Sequence, residues 1–231
     1  KNATAVGIQA YSAGNYSTAL GGLSNAYDSY SLAIGYEALS TAKYSIALGA
    51  SSEASGENSI AQGTGSKATN KNSIAFGTDS EASGLNAVAV GAGAKASKTN
   101  AVAIGAGSNA AGVNAVAIGA GSKASATNAV AIGACATASC SNALAFGSRS
   151  TASKANAIAI GTLATAEGNH AFALGTASKA SATNASALGT NSVANNVNGL
   201  ALGTSSKATG INATAIGPDS NASNTNSIAL G

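Results

Sequence analysis

The sequence of 231 residues lacks most of what an ordinary domain is built from. Met and Trp are absent, Pro occurs once, His once and Cys twice, charged residues make up 8% and aromatics 4%. Soluble domains usually carry about 25% charged residues, so this surface is covered mainly by small neutral polar groups. Scarce charge also argues against disorder, which goes with high net charge and low hydrophobicity. A net charge of +3 without basic runs is too weak a footprint for a nucleic-acid binder. One His and eight scattered acids leave few parts for catalysis, so no enzyme, cofactor or metal is expected. No apolar run approaches the ~18 residues of a membrane-spanning helix.

What is present is repetition, which decides the fold class before anything else. Stepping by 14 from Gly7 lands on Gly seventeen times, ending at Gly231, without insertion or deletion. Ala stands two residues before every one of these glycines, from Ala5 to Ala229. The residue just before the Gly is large and apolar except at Gln62. Three before, large apolar residues are interrupted only by Thr4, Thr18, Ser186 and Thr214. Five before is Asn, save for Tyr16, Tyr30, Tyr44 and His170. After the Gly, Ser or Ala recurs three positions on, and Ala five on with Ser12 and Ser40 as exceptions. Residues 1–231 therefore read as one solenoid domain.

Alternation of large apolar and small residues has period two, a strand signature and not a helical one. Two strands of about five residues and two tight corners fill one coil. Gly supplies a permissive backbone at one corner, and Asn tolerates the left-handed region at the other. A step without drift stacks like residues about 4.8 Å apart in parallel sheets. The predicted class is all-β, a parallel β-roll of 14-residue coils.

The strand ending at the Gly has a small face and a large face, such as Val116 and Ile118. A 14-residue coil is narrow, so the small face suits its interior. The large face then forms a stripe too extensive for a soluble monomer. Three chains around an axis would cover it. Phe76, Phe146, Phe172 and the polar Gln62 are easier to place on such an axis than inside a roll. The opposite assignment, with Val and Ile inside and Ala outside, stays open at this level. Either arrangement predicts an obligate oligomer, with a homotrimer favoured.

The hexads Asn58-Ser-Ile-Ala-Gln-Gly63, Asn72-Ser-Ile-Ala-Phe-Gly77 and Asn226-Ser-Ile-Ala-Leu-Gly231 resemble the head repeat of the YadA-like trimeric autotransporter adhesins. The resemblance runs the whole chain. It implies a left-handed parallel β-roll in a homotrimer, held away from a Gram-negative outer membrane by a coiled-coil stalk and an anchor. These residues contain no heptads and no membrane strands, so they read as head alone. The implied partners are extracellular-matrix or host cell-surface proteins. The implied site is the bacterial surface, the implied role adhesion and virulence, and no catalytic residue carries over.

Six tyrosines, Tyr11, Tyr16, Tyr27, Tyr30, Tyr36 and Tyr44, fall in the first 44 residues. Since Tyr joins a large ring to a polar tip, they form a candidate ligand patch at the end the resemblance makes distal. Alternatively Tyr16, Tyr30 and Tyr44 simply stack as a corner ladder. Glu53, Lys67, Glu81 and Lys95 succeed one another on the outer strand position and read as neighbour-coil ion pairs.

Cys135 and Cys140 lie in one coil, roughly 16 Å apart if the chain between them is extended. That exceeds the roughly 7 Å a disulfide can span. Their options are free thiols or interchain bridges between Cys135 and Cys140, which an extracellular setting would permit. His170 beside Glu167 lacks the further ligands a metal needs.

Two other functions are open to a solenoid of this kind. Thr64, Thr78, Thr162, Thr176, Thr190 and Thr204 make a single file, without the paired files of an ice-binding plane. A purely structural spacer remains the other alternative to an adhesin. Hexapeptide-repeat acyltransferases step by six, and calcium-binding rolls need recurrent Asp, so both are set aside.

Overall fold

The computed structural model describes residues 2–231 as two compact units, residues 2–114 and 115–231. Each unit is built only of short parallel strands and turns, and no helix occurs among the described residues.

In residues 2–114 the strands that lead into each Gly, from Thr4–Val6 to Val102–Ile104, pair in a register of 14 residues. Val88 lies beside Val102 and Ala89 beside Ala103. A second parallel sheet is made by the shorter strands, from Tyr11–Ser12 to Asn109–Ala110, in the same register. Residues 115–231 repeat the plan: Val116–Ile118 to Ile228–Leu230 form one sheet, Lys123–Ala124 to Asn221–Ala222 the other. Strands are three and two residues long, shorter than the five predicted. The reason lies in the corners, which take more of each coil than expected.

Three residues per coil have positive φ. The repeat Gly lies at φ between 108° and 138°. Asn five residues before it adopts left-handed values, 55° at Asn114 and 57° at Asn142. Tyr16, Tyr30, Tyr44 and His170 hold the same conformation, with φ of 58°, 61°, 59° and 56°. Stacking thus imposes the corner on three tyrosines that do not favour it, whereas His enters this region more readily. The third position, two residues after the Gly, escaped the sequence reading. It is left-handed even at Leu23, Cys135, Leu163 and Ala177. Its signal was a partial enrichment in Gly, Asn and Asp (Gly65, Asp79, Gly93, Gly107, Gly121, Asn191, Asp219), the residues that enter this region most readily.

The interior settles which face of the longer strand points inward. The buried side chains are Ala and Ser throughout, and the bulkiest among those wholly enclosed are serines. Ala115 and Ala117 on the side of one strand, and Ser122 and Ala124 on the side of the other, are all fully buried. The arrangement with Val and Ile inside is therefore excluded. Buried hydroxyls are mostly satisfied locally: Ser80 Oγ donates to the Gly77 carbonyl at 2.8 Å, and Ser122 and Ser150 do the same to Gly119 and Gly147. This bond explains why Ser and Ala exchange freely three residues after the Gly, because the Gly carbonyl accepts from the added hydroxyl.

Corner asparagines add a ladder of amides. Within residues 2–114 each side-chain amide donates to the next from Asn58 to Asn114, at 3.0–3.4 Å. In residues 115–231 the ladder links Asn128, Asn142 and Asn156, then Asn184 to Asn226. His170 stands where the two runs part.

Gly147 and Gly107 separate two reasons for glycine. A Cβ on Gly147 would lie 2.5 Å from the Gly161 carbonyl oxygen, whereas one on Gly107 would meet nothing within 4 Å. Gly107→Ala carries only the left-handed backbone cost, about 1 kcal/mol. Gly147→Ala adds a clash with a main chain fixed by its own ladder and is expected to cost at least about 2–3 kcal/mol. Thermal unfolding followed by circular dichroism checks this; equal midpoints for the two variants would remove the clash account.

Candidate functional site

With the interior filled by small residues, everything distinctive about the chain lies outside. The tyrosines occur in residues 2–114 and all six are exposed, between 45% and 57%. They form two groups and one isolated ring. Tyr16, Tyr30 and Tyr44 occupy the asparagine corner of successive coils and stack nearly face to face. Ring centroids are 5.3 and 5.1 Å apart, with planes inclined by 13° and 17°. The expected corner ladder therefore exists. The coil spacing sets the ring separation, and offset contact of this kind adds about 0.5–1.5 kcal/mol per pair. Lys43 Nζ sits 4.9 Å from the Tyr44 centroid, a cation over the last ring of the stack.

Tyr11 and Tyr27 make the second group, their centroids 5.5 Å apart and their planes inclined by 55°. Tyr11 starts a short outer strand and Tyr27 follows the next one. Tyr36 lies apart at the glycine corner, its ring over Gly22, where a Cβ would come 3.5 Å from Cδ2.

The large apolar side chains cover the outer face of the longer strands. In residues 2–114, Phe76 is 48% exposed and the polar Gln62 is exposed beside it in register. In residues 115–231, Phe146 is 50% exposed, and Val116, Ile118 and Phe172 are half-buried. None of the six enters the roll.

Charge is sparse and only partly paired. Of the predicted outer ladder, only Glu81–Lys95 closes, at 3.8 Å. Lys71–Glu57 at 3.1 Å and Lys179–Glu167 at 3.8 Å join neighbouring coils elsewhere. Glu167 thus pairs with a lysine and is not committed to His170. A shallow hollow of about 320 Å³ lies along Gly65, Lys67, Asp79, Glu81, Gly93 and Lys95, its charges of both signs and open to solvent. Among the described residues no group of His, Cys, Asp and Glu is placed to hold a metal ion. Cys135 is exposed, Cys140 is half-buried, and both are free thiols.

Matches to the YadA head domain repeat tile the sequence at residues 1–24, 29–52, 54–80, 82–108, 110–134, 138–164, 152–178, 166–192, 180–206, 194–218 and 208–231. The chain belongs to the YadA head family. The parallel solenoid of 14-residue coils is the YadA head fold, as the hexads implied. Among solved structures it is similar to the collagen-binding domain of the Yersinia adhesin YadA. The two are 28% identical over 61% of this chain and 69% of that one, with a TM-score of 0.43. Comparison with curated proteins gave no match.

On this YadA-type head the tyrosine stack has a measurable weight. Tyr30 touches a ring on each side, so Tyr30→Ala is expected to lower stability by about 1–3 kcal/mol. Tyr16→Ala, which removes a single stack, should cost about half as much. Denaturant unfolding of the two variants and their double mutant measures the coupling. Additive effects with no coupling energy would show that the rings are neighbours without interacting.

Proposed function

We propose that these residues form the head of a trimeric adhesin on a Gram-negative cell surface, and that its tyrosine-bearing coils contact an extracellular-matrix or host-surface protein. One observation carries the assembly. In both units the interior accepts nothing larger than serine, so Val, Ile, Leu and Phe side chains stand outward along every longer strand. Apolar cover on that scale goes with an interface and not with free solvent. Cyclic association of like chains is the common way for a single chain type to bury one face. Gln62, Phe76, Val116, Ile118, Phe146 and Phe172 are the residues assigned to the axis.

The ligand surface must be sought among residues the fold does not need. Tyr11 and Tyr27 answer best: their positions carry polar or small residues in the other coils, save Leu39 and Val193 at the Tyr11 position, and their rings are exposed without belonging to the corner stack. Tyr is favoured where a protein surface meets another because one end is apolar and the other hydrogen-bonds. Tyr16, Tyr30 and Tyr44 lie on the corner that follows and extend the aromatic surface, and Tyr36 borders the opposite corner.

Two measurements test the parts separately. Light scattering of the native head should give the mass of three chains; a single-chain mass would end the trimeric reading. Collagen, the ligand named for the similar Yersinia domain, is the first probe, with fibronectin and laminin beside it. Binding is expected to weaken about tenfold in Tyr11→Ala and Tyr27→Ala, the loss of one modest hot-spot residue. A trimer that binds none of the three, or binds equally without those rings, would favour a spacer that carries another part of the adhesin outward.

A further inference from the structure

We propose that the trimer is closed covalently, Cys135 of each chain forming a disulfide with Cys140 of the partner subunit, three bridges in one ring. The proposal rests on the trimeric reading above and adds to it a pairing partner, a level and a chemistry.

The two cysteines are the only ones in the chain, and they occupy a single coil. Cys135 comes two residues after Gly133, and Cys140 two residues before Asn142. They flank the short strand Thr137–Ala138, one at each corner. Five residues of mostly extended chain hold their Cα atoms roughly 16 Å apart, more than twice the span of a disulfide, and both are free. A bridge within the chain is therefore closed off by the same strand that places the thiols at opposite edges.

Threefold association changes what those edges meet. A cyclic trimer has heterologous interfaces, in which one edge of a chain faces the other edge of its neighbour. With the longer strands turned to the axis, the glycine corner of one chain faces the asparagine corner of the next. Because the two cysteines share one coil, they lie at one level along the stack. Each is also equally far from the residue that turns the chain toward the axis strand.

On the side of the preceding coil both corners carry small residues, while Arg149 and Lys154 hold the same two positions in the following coil. The residue before Cys135 is Ala134, and the position of Cys135 in the preceding coil is Gly121. The Cys135 sulfur lies over that vacancy, 3.5 Å from where a Gly121 Cβ would stand. Cys140 is flanked by Ser139 and Ser141, with Ala126 one coil before it. Its thiol donates to the Ser153 carbonyl at 3.1 Å, which holds the sulfur at the corner. Cys135 is the more exposed and has no such partner, so it is the thiol that reacts first.

The oxidant is a disulfide compound, and glutathione disulfide serves in the test. The Cys135 thiolate attacks it, forming a mixed disulfide and expelling one glutathione thiolate. The Cys140 thiolate of the partner subunit then attacks the Cys135 sulfur and expels the second glutathione. Two protein thiols are oxidised, one glutathione disulfide is reduced to two thiols, and the two protons pass to the departing glutathiones.

The native head is incubated with glutathione disulfide and its mass read twice, by light scattering in buffer and after heating in guanidinium without reductant. The expected result is three chains in both, falling to one chain on denaturation with dithiothreitol. Cys135→Ser and Cys140→Ser should each remain three-chain in buffer and fall to one chain when denatured, because every bridge needs both residues. Trypsin supplies a second reading, since cleavage after Lys123 and Arg149 leaves both cysteines on the fragment 124–149. A bridged head yields that fragment as a closed ring of three.

Three chains in buffer but one after denaturation without reductant overturns the bridges and leaves the trimer standing. A linear dimer that survives in Cys140→Ser would mean that Cys135 pairs with itself, and also overturns the proposal. A fragment of single mass lighter by two hydrogens would overturn it through an internal bridge. One chain in buffer removes the trimer first and the bridges with it.

Discussion

A bore that admits nothing larger than serine governs this molecule. Fourteen residues close into a coil so narrow that its two sheets touch through Ala and Ser alone, and every larger side chain must go outside. An ordinary domain derives stability from enclosing Leu, Ile and Phe in its own core. Here those residues are on the surface, and the enclosed part contributes close contact of methyl groups and hydrogen-bonded hydroxyls instead. Apolar burial that the coil cannot provide would fall to association, which is why the proposed assembly follows from the width of the coil.

The same narrowness dictates the corners. A chain that reverses within a few residues, twice per coil, needs left-handed conformations, and the structure uses three per turn. Of the three left-handed positions, only the repeat Gly also has the carbonyl of the next coil standing where a Cβ would be. That position is accordingly Gly in every coil, while the left-handed positions accept Tyr, His, Leu, Cys and Arg. Strain at those residues is held by the main-chain bonds of the coils above and below.

Much of this was legible in the residues because repetition averages out accident. The period, the parallel stacking, the inward Ala and the turn at Asn all follow from position-specific composition. The face assignment was open at the level of sequence, since alternation shows that two faces differ but not which one is enclosed. Burial of Ala117 and exposure of Phe146 closed it. The second left-handed corner was hidden because stacking forces it upon Leu23 and Ala177, which carry no local preference for it. Ion pairs were the least legible: flexible exposed side chains choose partners by reach, so Glu57–Lys71 forms at the corner beside the asparagines while most of the outer-strand ladder stays open. For the candidate site, residue identity located the tyrosines, but only coordinates separated the stacked corner rings from the tilted pair at Tyr11 and Tyr27. The repeat specifies the scaffold and leaves the outer positions free, so it encodes no ligand for them.

The unbroken step of fourteen residues also has a meaning for inheritance. Because each coil presents its successor with the same seat, a duplication or loss of one whole block of fourteen codons joins like to like and leaves every remaining residue in its place. A block of any other length would move Gly off the carbonyl it must avoid and bring Val or Phe toward the bore. Copying errors are thereby sorted by the fold itself: those in whole coils lengthen or shorten the head without disturbing its chemistry, and the rest are lost.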